Sequence, residues 1–200
     1  MTFCLKTERL LLRQFQDSDL ESFLAYRNDP DVARYQGWNI PYPRQKGKEF
    51  IELMTTAFPG VQGEWFQAAL ELKSTHEMVG DVGFVVQNDD GRQAYIGYTL
   101  ARAHWGNGYA YEAVSRILAH LFDEFNLHRV VAECDVKNAP SWKLLEKLGF
   151  RRESHLVENI FFKGTYGSEY HYAMLGREWK EHHSLQRDEA DLSSQGNPSK

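Results

Sequence analysis

Cysteine is nearly absent from this chain: Cys4 and Cys134 are the only two in 200 residues. They lie far apart and show no metal-ligand spacing. A disulfide framework is therefore excluded, no metal is expected, and a reduced intracellular setting is. Long hydrophobic runs are missing too. No segment has the length to cross a bilayer, and the opening M-T-F-C-L-K-T-E-R lacks the apolar core of a signal peptide. A soluble, cytoplasmic protein with no membrane partner is expected. Positive charge is also in short supply, with 23 Lys and Arg against 28 Asp and Glu, a net charge of -5. No basic stripe interleaves with aromatics, so a nucleic-acid partner is not expected, whereas an amine substrate suits the balance.

What is present suffices for one folded unit. Apolar residues make up 42% and aromatics 14% of the chain, enough for a substantial single core. That unit is expected over residues 1–183. Beyond it, residues 184–200 run into R-D-E-A-D-L-S-S-Q-G-N-P-S-K, which has too little apolar content to recover its ordering entropy. A disordered tail is expected there, and the adjacent His182-His183 pair reads as incidental.

Hydrophobic period divides the rest into alternating elements. Glu8 to Phe15 reads as a strand, and Ser18 with Glu21 as a capping box for a helix bearing Leu20, Phe23 and Leu24. Asn28-Asp29-Pro30 closes that helix, and a short turn of helix follows over Asp31 to Tyr35. A loop from Gln36 to Pro43 then leads to a helix over Arg44 to Phe58. Three strands follow, Trp65 to Leu72, Met78 to Val86 and Tyr95 to Ala101, linked by the turns Ser74 to Glu77 and Asn88 to Gly91. Short turns of that kind predict an antiparallel meander. Next come a helix over Tyr109 to Phe125, a strand over Leu127 to Asp135, and a helix capped by Asn138 and ended by Gly149. Two last strands flank Lys163 to Gly167. The fold class is α+β.

One junction carries chemistry. The strand Y-I-G-Y-T-L-A runs into A-H-W-G-N-G-Y-A and then into the helix from Tyr109. Gly106 and Gly108 permit a tight turn and close approach of a ligand, and the first amides of the helix point outward at the positive end of its dipole. Such a junction is a candidate phosphate cradle, although Gly-x-Gly before a helix is equally often a plain connection.

Three segments in order then resemble the GNAT superfamily of acyl-CoA-dependent N-acyltransferases, in its RimJ/RimL-like ribosomal-protein branch. They are T-E-R-L-L-L-R leading to N-D-P-D-V-A-R-Y, I-G-Y-T-L with W-G-N-G-Y-A-Y-E-A, and N-A-P-S-W-K-L-L-E-K-L-G-F, with F-F-K-G-T-Y-G-S-E-Y behind them. The resemblance implies a mixed, mostly antiparallel central sheet with helices on both faces, and acetyl-CoA as cosubstrate with no metal. It places the pantetheine arm against the backbone of Tyr98, Thr99 and Leu100. The pyrophosphate would sit on the loop Trp105, Gly106, Asn107, Gly108, Tyr109 and Ala110, with Asn138 and Ser141 on the facing wall. Asn138 also reads as a plain helix cap.

The resemblance further implies transfer of an acetyl group to a primary amine, on a small molecule or a peptide, by direct attack in a ternary complex. Where many members carry a tyrosine acid this sequence has Leu145. Ser141, on the same helix face, matches the serine proposed as acid in the ribosomal-protein branch; its alternative is a hydroxyl that only fills space or bonds a carbonyl one turn back. Glu158 is the first candidate base, with Glu133 and Asp135 behind it and a water chain as a further option. Tyr35, Trp38, Tyr42 and Phe162 would wall the acceptor pocket, although aromatics are more often core. Competing readings are a drug- or aminoglycoside-type acetyltransferase and a catalytically silent acyl-CoA-binding module. An exposed sheet edge allows a monomer or a homodimer.

Overall fold

The computed structural model describes residues 3–87 and 89–181. The expected tail and His182-His183 lie outside the described residues. Among the described residues, eight strands form one sheet: β1 (Cys4–Lys6), β2 (Leu10–Arg13), β3 (Trp65–Leu72), β4 (Met78–Val86), β5 (Gln93–Leu100), β6 (Arg129–Asp135), β7 (Arg151–Phe162) and β8 (Thr165–Leu175). Their spatial order is β1-β2-β3-β4-β5-β6-β8-β7. Every neighbouring pair is antiparallel except β5 with β6, which is parallel. The helices are α1 (Leu20–Arg27), α2 (Pro30–Ala33), α3 (Arg44–Thr56), α4 (Tyr109–Ala119) and α5 (Ala139–Lys147), with a last helical turn over 176–181.

Strand alternation decides which helix covers which face. Phe66, Ala68 and Leu70 of β3, Val82 and Phe84 of β4 and Ala94 and Ile96 of β5 share one core with Val114, Ile117 and Leu118 of α4 and Leu145 of α5. Ala69 and Met78 turn the other way, into a second core with Phe15, Phe23 and Tyr26 from the α1 side and Ile51 and Met54 of α3. Because both faces are covered, β3 and β4 are buried along almost their whole length, which is why they read as near-continuous apolar runs. The expected mixed sheet with helices on both faces is what the chain adopts.

Three local expectations are corrected. The strand β1 was not expected; its three residues give no periodic signal, and it forms by pairing with β2. The capping box is two residues earlier than Ser18 and Glu21: Gln16 and Asp19 close it, Gln16 N–H donating to the buried Asp19 carboxylate at 2.8 Å. The long helix after the glycine loop is regular only to Ala119 and continues as a π-helical turn over His120–Glu124.

Two buried ionic clusters tie the α1 side to the sheet. Arg13 forks between Asp19, at 2.8 Å through both terminal nitrogens, and Glu71, at 2.5 Å through Nε. Asp81 of β4, 3% exposed, accepts from the Tyr26 hydroxyl and from Arg27 at 3.4 Å. Burial pushes the Asp81 carboxyl up, and the Arg27 charge and the Tyr26 hydroxyl pull it partly back.

Candidate active site

The parallel pair β5–β6 is joined over only three residue pairs, Gln93 with Arg129, Ala94 with Val130 and Tyr95 with Val131. Beyond Tyr95 each strand keeps its other partner, β5 pairing with β4 to Leu100 and β6 with β8 to Asp135. The two halves of the sheet therefore diverge, as the twist of each half dictates. The wedge opens into a cleft of about 590 Å³ between Ile96–Leu100 and Ala132–Asp135, extending past the glycine loop and α5 to α2.

Backbone direction follows from one bond. Ala101 N–H donates to Val79 O of β4 at 2.8 Å, so alternation turns the backbone groups of Leu100 and Tyr98 the opposite way, into the wedge. Leu100 O already accepts the Trp105 indole N–H at 2.9 Å. Thr99, between them, turns its backbone to β4 opposite Asp81 and is buried in the cleft wall. Tyr98 does more than its backbone alone would. Its hydroxyl crosses the wedge to Ser141 Oγ at 2.9 Å, and burial pushes its phenol well above the ordinary value, with the Ser141 bond pulling only partly back. Cys134, 8% exposed on the β6 wall, has its thiol pushed up to about 11 by burial, again against a bond from Ser141. Tyr98, Ser141 and Cys134 thus meet at one point in the cleft.

At the mouth of α4 both glycines take left-handed backbone, Gly106 at φ 77° and Gly108 at φ 80°. A Cβ at Gly106 would meet nothing within 4 Å, so this glycine is needed for conformation and not for space. The loop rests on side chains behind it: Asn107 Nδ2 donates to His104 O and Trp105 O at 3.2 Å. Trp105, Gly106, Gly108, Tyr109 and Ala110 line the cleft, whereas Asn107 lies behind it. A loop at a helix start, beside a strand wedge into which backbone groups point, fits a phosphate-bearing ligand with an extended arm.

Asn138 departs from its expected capping. Its side chain makes no cap bond, and its carbonyl receives Ser141 N–H at 3.0 Å and Trp142 N–H at 3.2 Å. Asn138 lines the cleft beside Ser141.

On the acceptor side the aromatics separate. Tyr35 lines the cleft and reaches across its rim, its hydroxyl donating to Lys137 O at 3.3 Å. Trp38 and Tyr42 are not brought into the cleft lining. Trp38 stacks on the buried Arg27 guanidinium at 3.7 Å and donates to Arg27 O at 2.9 Å. Tyr42 N–H donates to Asn28 Oδ1 at 2.7 Å. Both anchor the loop that carries Tyr35. Phe162 sits at the tip of the β7–β8 hairpin beside Lys163, whose ammonium donates to Ala33 O of α2; it too lies outside the lining.

Glu158 is likewise not brought to Ser141. It is exposed on a bulge of β7, at φ 48°, with its N–H donating to Ser168 Oγ at 2.9 Å. The carboxylates that line the cleft are Asp31, Glu133 and Asp135. Glu133 stands directly across from His171 on β8, with Nδ1 3.7 Å from its carboxylate.

Comparison with known proteins agrees with this geometry. The chain is 32% identical over 175 residues to the uncharacterized N-acetyltransferase p20 of Bacillus licheniformis, covering 88% of this chain and 97% of that protein. It is 34% identical over 158 residues to a spermidine N(1)-acetyltransferase of Vibrio cholerae, covering 79% and 88%. Among solved structures, an acetyltransferase of the GNAT family from Bacillus anthracis superposes with a TM-score of 0.75 at 29% identity, covering 88% of this chain and 99% of that one. The description "Acetyltransferase (GNAT) domain" matches residues 9–151, and the chain belongs to this family of N-acetyltransferases.

Proposed function

We propose that this enzyme moves an acetyl group from acetyl-CoA to a primary amine by direct attack, with both substrates in the cleft at once. The observation that carries the reading is the wedge between β5 and β6, which opens onto the glycine loop at one end and the Tyr35 rim at the other, with Ser141 and Tyr98 between. Acetyl-CoA supplies an activated acyl carbon and a thiolate leaving group. Backbone N–H of Leu100 or Tyr98, aimed into the wedge, meets the carbonyl oxygen as it gains charge. Ser141 Oγ–H faces the departing sulfur. Burial keeps Cys134 a thiol, which disfavours an acyl-cysteine route.

The amine enters past Tyr35. A primary ammonium must lose a proton before it attacks, and Glu133, backed by His171, is the carboxylate on its path. Glu158, exposed on the β7 bulge, is displaced from that role. Small amines head the candidate acceptors, because a 34% identical relative carries the name spermidine N(1)-acetyltransferase; peptide N-termini come second.

Free thiol released from acetyl-CoA, followed with polyamines, aminoglycosides, amino acids and N-terminal peptides, tests the reading. Amine-dependent release with intersecting initial-rate lines is expected. CoA binding without release across the panel would leave a silent binding module, and parallel lines would require an acyl-enzyme. Run across pH, the same assay should show Glu133→Gln losing the acidic limb of the wild-type profile and Glu158→Gln keeping it. The reverse pattern would return the role to Glu158.

A further inference from the structure

The segment T-E-R-L-L-L-R marks the family resemblance, and Arg9 within it does not line the cleft. In the structure this residue, in the turn between β1 and β2, is joined to the glycine loop across about half the chain. Its backbone N–H and its Nε donate to the two oxygens of Glu112, each at 2.7 Å. Its Nη1 donates to Asn107 O at 2.9 Å. The guanidinium carbon lies 4.6 Å from the Tyr109 ring centroid, and Nη2 is 3.4 Å from where a Cβ on Gly108 would stand. One side chain therefore touches Asn107, Gly108, Tyr109 and Glu112, the back of the loop and the first turn of α4.

We propose that Arg9 is the positioning residue of this loop, holding its backbone in the form that receives the donor's pyrophosphate. Three physical effects converge. A planar fork fixes the Asn107 carbonyl and the Glu112 carboxylate together, which an ammonium cannot do in one geometry. With the Asn107 carbonyl drawn back toward Arg9, the loop keeps its carbonyl oxygen turned from the phosphates. The third effect is electrostatic. Glu112 sits in the first turn of α4, and without a cation it would set a negative charge beside the anion site. Arg9 neutralises it from behind, so the positive end of the helix is presented undiminished. The residue acts through the loop and needs no contact with the substrate.

The inference rests on the reading of this loop as the pyrophosphate site, and calorimetric titration of the full chain separates the two. CoA and pantetheine, which lacks the pyrophosphate and nucleotide, are each titrated into wild type, Arg9→Ala and Arg9→Lys. Arg9→Ala should bind CoA about tenfold more weakly, ~1.4 kcal/mol, and pantetheine as wild type does. Arg9→Lys, which restores charge without the fork, should recover only part of the loss. Unchanged CoA affinity in Arg9→Ala, or equal weakening of CoA and pantetheine, would overturn the role of Arg9 and leave the loop reading standing. If wild type itself bound pantetheine as tightly as CoA, the loop reading would fail and Arg9 with it.

Discussion

Replacing Ser141 by alanine is expected to lower kcat by about a hundredfold to a thousandfold, the range for removing one preorganised donor from a developing charge. CoA affinity and thermal stability should stay near wild type. A serine hydroxyl is too weak an acid to give its proton outright to a thiolate, so its contribution is a hydrogen bond to sulfur as charge builds there. That requires the hydroxyl proton to point into the cleft. The Tyr98 phenol, kept protonated by burial, can donate to Ser141 Oγ at 2.9 Å, leaving the serine proton free to turn toward the cleft. The effect should therefore appear in kcat and leave the KM for acetyl-CoA little changed. Steady-state kinetics with the best amine of the panel checks it. Full turnover in Ser141→Ala would reduce Ser141 to a space-filling residue bonded to Tyr98.

The second large effect concerns stability. Arg13→Met should cost about 3–5 kcal/mol at neutral pH, because it strands two buried carboxylates that share one guanidinium. Asp19 is 4% exposed and Glu71 9% exposed, and Arg13 reaches both. Burial works to raise the Glu71 carboxyl, and the bonds from Arg13 and His76 outweigh it and hold it low. The sign follows from linkage. A depressed carboxyl contributes stability above its unfolded value, and that contribution fades as pH falls through the folded one. In Arg13→Met only the exposed His76 still opposes burial, so the Glu71 carboxyl rises above its wild-type position and the variant gains by binding a proton as pH falls. The gap between wild type and variant should therefore narrow from about pH 7 toward the ordinary carboxylate range near pH ~4. Urea unfolding at several pH values measures it. A variant matching wild type at neutral pH would show that the cluster adds little beyond packing. Because Arg13 links β2 to the turn before α1, the variant should also loosen the acceptor side.

Much of the framework was legible because its signals are local. The meander strands β3 and β4 occupy the ranges that alternation and the Ser74 to Glu77 turn indicate. The glycine pair and the α4 apolar face are legible for the same reason. What stayed hidden depends on distant partners or on broken period. Arg9 reads as a family marker, since its partner Glu112 lies 103 residues on. Trp38 and Tyr42 look like an acceptor wall until Arg27 is placed between them and Phe23. Glu158 lies on a strand that carries bulges between Arg152 and Ser154 and between Leu156 and Ile160. Each bulge shifts the alternation of side chains, so counting by twos cannot say which way Glu158 faces. The resemblance gives Tyr98 a backbone role, and the bond from its hydroxyl to Ser141, 43 residues on, is not visible in the sequence.

The scarcity of cysteine supplies the most direct test of where the donor binds. Cys4 is exposed on the edge strand and Cys134 is buried on the β6 wall of the cleft. Thiol labelling of the wild-type protein, resolved by peptide mass spectrometry with and without saturating CoA supplied as its desulfo analogue, which has no thiol to compete for the reagent, therefore contains its own control. Labelling at Cys134 will be slow, since its thiol is pushed up to about 11 and only the thiolate reacts. CoA lying in the wedge should slow Cys134 further, by about tenfold or more, and leave Cys4 unchanged. Equal labelling of Cys134 with and without bound CoA would contradict a donor site between β5 and β6.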